Sequence, residues 1–236
     1  MPIGTLNEGP LHEALKLEYL HQYGRSRDSA LEVPVGDFVA DVQGTDGVLY
    51  EIQTAGFGAI RRKLRALLQQ HRVVLVYPIA ARYRIVKLSM DGVSPSTCRR
   101  SPKHGHPALV ASELVYIPDL LAHPNFEVEV VMVELDELRR YDPKRTRRRG
   151  GWRVESRELT RIVSRHRFRA LHDLFGLLRS PLPEQFTTAE LGEALAQPRR
   201  LAQKLAYVLR EGGALTICGK EGNALRYQRA PLPPAD

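Results

Sequence analysis

The sequence predicts an α/β fold: a sheet with helices beside it, followed by a smaller, mainly helical part. Three observations lead there. Apolar residues recur at helical spacing in "LHEALKLEYLHQY" and "AIRRKLRALLQQH". They alternate, as on half-buried strands, in "ALEVPV", "DFVADVQ" and "VLYEIQT". In "RVVLVYP" they form an unbroken β-branched run, the pattern of a strand covered on both faces.

Taken in order, the first helix places Leu11, Ala14, Leu15 and Tyr19 on one face. Two short strands follow, separated near Gly36, and "TDG" turns the chain into a third. Gly56 and Gly58 then open a second helix with a stripe of Ile60, Leu64, Leu67 and Leu68. With "RVVLVYP" the order is α-β-β-β-α-β. "RYRIVKL" and "NFEVEVVMVEL" read as added strands, with a helix across "ALVASELVYIPDLLA" between them.

The basic stretch "RRYDPKRTRRRGGWR", residues 139–153, holds eight Lys or Arg in fifteen positions and reads as a linker. It separates a first domain, 1–138, from a second, 154–236. In the second, "SRELTRIVSRHRFRALHDLFGLL" has a helical pattern and ends at "SPLPEQ". "FTTAELGEALA" begins with a capping box in which Thr187 caps and Glu190 reaches back. Pro198 suits a first helical turn, Leu201, Leu205, Val208 and Leu209 give the next helix a buried face, and Gly212 and Gly213 end it. "ALTICGKEGNALRYQ" reads as a hairpin.

Composition narrows the classes of function. Thirty-five Lys and Arg against 27 acidic residues give a net charge of +8, which favours a polyanionic partner. The N-terminus lacks the regions of a signal peptide, and no apolar run is long enough to span a bilayer. Two cysteines, Cys98 and Cys218, make no disulfide framework. A soluble, cytoplasmic protein without a membrane partner is the expectation.

The stretch "VADVQGTDGVLYEIQT" carries the chemistry. Glu51 and Gln53 stand two apart, on one face of their strand, and the hairpin brings Asp41 beside them. Two carboxylates and an amide that converge form either a metal site or a polar sheet surface. This order of elements, with acids on the second and third strands, resembles the PD-(D/E)XK nuclease superfamily over residues 8–77. The resemblance implies a restriction-endonuclease-like sheet. It maps the metal-binding acid to Asp41 or Asp37, with "GD" at 36–37 in place of the family's "PD", and the Glu-X-Lys motif to Glu51-Ile52-Gln53. Gln53 in place of lysine is the departure: an amide can hydrogen-bond water or substrate but brings no cation. Asp41 and Glu51 would hold Mg²⁺ or Mn²⁺, which carries a water nucleophile and neutralises phosphate charge.

Lys63 lies about 300° round its helix from Ile60, beside the apolar stripe, and would replace the missing cation. The additional acid that such nucleases often take from the first helix maps to Glu8, in the first turn; Glu18 is the alternative on the same face. His12 and Lys16, one turn apart, offer phosphate contacts. Cys98, His104 and His106 lack the spacing of a closed zinc site.

Residues 185–229, as helix, turn, helix and hairpin, resemble a winged helix-turn-helix domain. The resemblance implies DNA binding through Arg199, Arg200 and Lys204 on the second helix and through Lys220 and Arg226 in or beside the wing. The combined expectation is a metal-dependent DNA endonuclease, with a homodimer supplying the two sites that cutting both strands needs. The alternatives are a nuclease fold that binds DNA without cutting, as a transcriptional regulator would, and a winged helix that docks protein.

Overall fold

A computed structural model describes residues 9–24, 30–89, 94–146 and 148–231. In order these form α1 (Pro10–Tyr23), β1 (Ala30–Val35), β2 (Phe38–Gln43), β3 (Leu49–Ile52), α2 (Phe57–Leu67), β4 (Val73–Leu88) and β5 (Pro95–Arg100). Then come α3 (Ala111–Leu114), flanked by two 3₁₀ turns, β6 (Phe126–Tyr141), β7 (Trp152–Phe168) and a 3₁₀ segment at Leu171–Leu177. The chain closes with β8 (Gln185–Phe186), α4 (Thr188–Leu195), α5 (Arg199–Glu211), β9 (Leu215–Glu221) and β10 (Ala224–Arg229). The class is α/β. One mixed sheet has seven strands in the order β1-β2-β3-β4-β6-β7, with β5 also on β4, and a second runs β8-β10-β9.

Contacts group the described residues into two units. One lies within Met1–Thr54, Val76–His106 and Val130–Arg165; the other lies within Ala55–Leu75, Pro107–Glu129 and His166–Asp236. Both are discontinuous in sequence, unlike the contiguous division 1–138 and 154–236.

In the first unit, α1 packs on β2 and β3 through Leu11, Leu15 and Tyr19, all buried. Each fully buried leucine contributes roughly 2 kcal/mol. Tyr50 of β3 meets Tyr19 at 5.3 Å and stacks on Tyr23 at 4.6 Å between ring centroids. The β2–β3 turn follows the "TDG" signal: Asp46 Oδ1 accepts the Val48 amide at 3.2 Å, and Gly47 takes φ +75°, which a glycine adopts at no steric cost.

Three expectations need correction here. "RVVLVYP" and "RYRIVKL" are one strand, β4, which runs on through Pro78. "SRELTRIVSRHRF" is strand, not helix, and residues 139–153 are no linker between domains: they end β6, turn, and begin β7. The physical reason is pairing across the hairpin. Arg140 bonds Glu155 at 2.6 Å, Arg157 meets Glu137 at 3.3 Å, and Arg161 meets Glu134 at 3.0 Å. Their rising and falling numbers mark antiparallel neighbours, so the charges that resemble a solvated helix face lock two strands together.

In the second unit, the Glu113 carboxylate accepts the Gly56 and Phe57 amides at 2.9 and 3.1 Å, capping the start of α2. "ALVASELVYIPDLLA" is not one helix but α3 between 3₁₀ turns. The 185–229 elements are present as read. Thr187 and Glu190 close the capping box, with the Thr187 amide donating to Glu190 Oε2 at 2.7 Å. Leu201, Leu205, Val208 and Leu209 are buried. A two-residue turn at Gly222-Asn223, with positive φ at Gly222 only, joins β9 to β10, the signature of a type II′ turn. Among the described residues no helix is long and apolar enough to cross a membrane.

Candidate functional site: an acid pair on a buried hairpin

β2 and β3 pair antiparallel with Gln43 opposite Leu49 and Val42 opposite Tyr50. The ladder ends there: one residue further, Asp41 turns its carboxylate to the Ile52 amide of β3, next to Glu51 in sequence. Asp41 and Glu51 are both buried, 7% and 3% exposed. The hairpin therefore carries both acids that the sequence singled out, one on each strand. Gln53 follows the end of β3, half-buried, and its backbone N–H donates to Val76 O at 2.9 Å, carrying the ladder into β4.

Asp41 is held from two sides. Its Oδ2 accepts the Ile52 amide at 2.7 Å, and His12 Nε2 lies 3.3 Å from the same oxygen. His12 Nε2 is also 3.0 Å from Ile52 O. A carbonyl and a carboxylate can only accept, so Nε2 carries the proton and shares it between them. His12 is the residue the sequence undervalued. Its only local mark is a place next to Leu11, at the margin of the apolar face of α1.

A neighbouring arrangement comes from Glu32. The β1–β2 register would place it opposite Asp41, but Glu32 has φ +51° and is absent from the paired positions. Its carboxylate instead reaches Lys16 Nζ at 3.0 Å, and Glu13 reaches the same ammonium at 3.3 Å. Lys16 is 2% exposed, so its expected role in phosphate contact is replaced by one as a buried cation beneath β1.

The other candidates fall elsewhere. Asp37 is exposed in the β1–β2 turn, four residues from Asp41 or about 13 Å of strand, and does not join the pair. Glu8 lies outside the described residues. Lys63 is half-buried on α2, in the second unit. Glu18 pairs with Arg165 at 2.9 Å. Among the described residues no three His, Cys, Asp or Glu side chains gather as a metal cluster.

A cleft of about 440 Å³ is lined by Leu11, His12, Thr54, Glu155, Ser156 and Arg157, and neither acid lines it. His12 is the link, touching Asp41 and facing the cleft. Arg157 went unseen in the sequence because its segment read as helix.

In the second unit, Arg199, Arg200 and Lys220 are exposed and Lys204 is half-buried on the flank of α5. Arg226 differs from its expected role: its guanidinium donates to Glu221 Oε2 at 2.8 Å and to Gln185 O at 3.1 Å, which ties the β9–β10 hairpin to β8. That engagement serves the small sheet rather than a phosphate.

Comparison with known proteins gives a family without an assigned activity. Residues 9–169 match the family described as "Domain of unknown function (DUF8091)". A protein of Treponema pallidum (strain Nichols), described as "Uncharacterized protein", is 33% identical over 232 residues, covering 98% of this chain and 89% of the relative. No solved structure matches.

Proposed function

The chain belongs to the family described as "Domain of unknown function (DUF8091)", and we propose that its hairpin acids serve a metal-dependent nuclease acting on DNA. The observation that carries this reading is that Asp41 and Glu51 are both buried on adjacent strands of one hairpin. Two carboxylates buried on one hairpin lose hydration, and a bound divalent cation would offset that cost. The donor set fits: two carboxylates and a half-buried amide are hard oxygen ligands, and Mg²⁺ commonly takes one or two carboxylates with water and phosphate completing its shell. When bound, such an ion supplies a polarised phosphate and an activated water.

The chain's own residues do the rest. Asp41 and Glu51 would hold the ion, and His12 Nε2–H fixes the orientation of the Asp41 carboxylate. Gln53 positions water or substrate by hydrogen bonds alone. The cleft lined by His12 and Arg157 admits phosphate, with Arg157 as its cation. The second-unit elements α4, α5, β9 and β10 are read as a winged helix, with α5 presenting Arg199 and Arg200 to the duplex and Lys220 brushing the backbone. The restriction-endonuclease-like fold, Mg²⁺ or Mn²⁺ dependence and cytoplasmic setting belong to this proposal, as does a homodimer for cutting both strands.

One observation favours a second reading. Asp41 Oδ2 is already engaged by the Ile52 amide and His12, as in a hairpin fixed for structure, and Gln53 brings no cation. A nuclease fold that binds DNA without cutting would keep this arrangement. The test is cleavage of supercoiled, linear, branched and single-stranded DNA with Mg²⁺ or Mn²⁺. Wild type is expected to cut at least one substrate, and Asp41→Asn and Glu51→Gln to lose at least about a hundredfold. Tight binding with no cutting on any of them overturns the enzyme and leaves the regulator.

A further inference from the structure

A larger cavity than the His12 cleft lies elsewhere in the first unit. It measures about 520 Å³ and is lined by Arg82 and Arg84 of β4, Arg100 of β5, Glu134 and Asp136 of β6, and His104. Strand alternation accounts for the set: residues 82 and 84, and residues 134 and 136, share a face because side chains repeat every two positions. Arg84 and Arg100 stand directly opposite one another in the β4–β5 ladder. Two like charges in that position are unfavourable unless an anion lies between or beside them.

The charges can be assigned one by one. Asp136 takes Arg84, with two bonds from one guanidinium, at 2.7 Å from Nε and 2.5 Å from Nη2. Glu134 takes Arg161 at 3.0 Å. The hydrogen bond from Arg161 is the main reason the Glu134 carboxyl sits below the usual carboxylate range, with the charges of Arg82 and Arg100 adding to it against a smaller opposing effect of burial. Both carboxylates are therefore spoken for. Among the described residues no carboxylate lies within ion-pair distance of Arg82 or Arg100, so two guanidiniums remain in the cavity wall.

The wall beside them is fixed in place. Ser101 is buried, and its amide donates to Tyr83 O at 2.9 Å. The Gly105 amide donates to Ala80 O at 3.0 Å, and a Cβ at Gly105 would fall 2.4 Å from that oxygen. The segment carrying Ser101 and His104 lies against β4 as closely as a backbone can.

We propose that this cavity is a binding site for an organic phosphate monoester of up to nucleotide size, its phosphate held between Arg82 and Arg100. A phosphate monoester brings close to two negative charges at neutral pH and oxygens that accept the planar guanidinium fork. The volume exceeds what inorganic phosphate fills and falls within the range of sites for small organic ligands. This proposal is independent of the acid pair, because the cavity contains neither Asp41 nor Glu51.

The test is calorimetric titration of the full chain in EDTA with AMP, adenosine and inorganic phosphate, so that any metal-dependent reaction is silent. AMP is expected to bind, with adenosine and phosphate each more than tenfold weaker. Arg82→Ala/Arg100→Ala should weaken AMP more than tenfold. Arg82→Lys/Arg100→Lys, which keeps both charges and loses the fork, should weaken it severalfold while the circular dichroism spectrum stays that of wild type. Asp41→Asn should bind AMP as wild type does. The site is overturned if AMP does not bind, if either double variant binds AMP as wild type does, or if Asp41→Asn abolishes binding. Inorganic phosphate binding as tightly as AMP overturns the organic moiety.

Discussion

One N–H of His12 serves both Asp41 Oδ2, at 3.3 Å, and Ile52 O, at 3.0 Å, so a single imidazole fastens α1 to both strands of the β2–β3 hairpin. Asp41 closes the arrangement from its own side by accepting the Ile52 amide at 2.7 Å. The candidate acid is therefore positioned by backbone and helix together. Replacing His12 with alanine should lower stability by about 1–2 kcal/mol, the cost of a lost hydrogen bond to a charged, partly buried group. A shift in the urea midpoint at unchanged slope checks it.

Arg167 lies between two buried acids of β6, bonding Glu127 at 2.6 Å and Glu129 at 2.9 Å. Arg167→Met should cost about 3 kcal/mol, because it removes the shared cation and leaves the carboxylates buried. The pH dependence follows from Glu127. Burial pushes its carboxyl up, but the hydrogen bond and charge of Arg167, with help from Arg72 and Arg169, outweigh that and leave it low. A carboxyl lowered in the folded state gives stability that is present above its unfolded value and lost as pH falls through the folded one. In Arg167→Met the main lowering influence is gone while burial still pushes the carboxyl up, so the variant has no such stability to lose in acid and its deficit against wild type should narrow as pH falls. Denaturant midpoints from pH 7 to pH 3 read the difference.

The capping box gives a smaller and more local prediction. Hydrogen bonds from the Thr187 amide and hydroxyl hold the Glu190 carboxyl low. Thr187→Ala removes the side-chain cap of α4 and should cost about 1 kcal/mol. Part of that loss should vanish in acid, since protonating Glu190 already weakens the box in wild type. Thermal melts of both proteins at pH 7 and pH 3 check this, with the gap expected to narrow at pH 3.

Ala196, at the C-cap of α4, has φ +51° and ψ 42°. An L-residue there carries a penalty of roughly 1 kcal/mol or more that glycine avoids, partly offset by glycine's freedom in the unfolded chain. Ala196→Gly should therefore raise stability by a few tenths to about 1 kcal/mol. A rise in Tm with an unchanged spectrum is the expected result.

Where the governing interaction is local, the sequence is readable. The stripe of α1, the turn at Asp46-Gly47, the box at Thr187-Glu190 and the buried leucines of α5 are all written within a few residues of themselves. That Asp41 and Glu51 lie on the two strands of one hairpin was legible for the same reason, because a short turn connects those strands. β7 was not. Val154, Leu159, Ile162 and Val163 fall near helical spacing, and the Arg and Glu residues between them acquire meaning only from partners 15–40 positions away. β4 reads as two strands because Pro78 suggests a stop, yet a proline removes one donor without ending the strand. The hold of His12 on Asp41 spans 29 positions along the chain and leaves no local trace.

The two ends of the β1-β2-β3-β4-β6-β7 order are β1 and β7, and each discourages a second copy from extending the ladder. An open strand edge is a template for intermolecular pairing. On β1 the template is interrupted twice, by Pro34, which has no amide proton, and by Glu32, whose backbone leaves the ladder. On β7, Arg153, Arg157, Arg161 and Arg165 recur every fourth residue, so two copies meeting edge to edge would bring like charges together. Two of these arginines, Arg157 and Arg161, thus both bind β6 to β7 and oppose fibre-like association, and high salt, which screens exposed charges, is the condition under which that protection weakens.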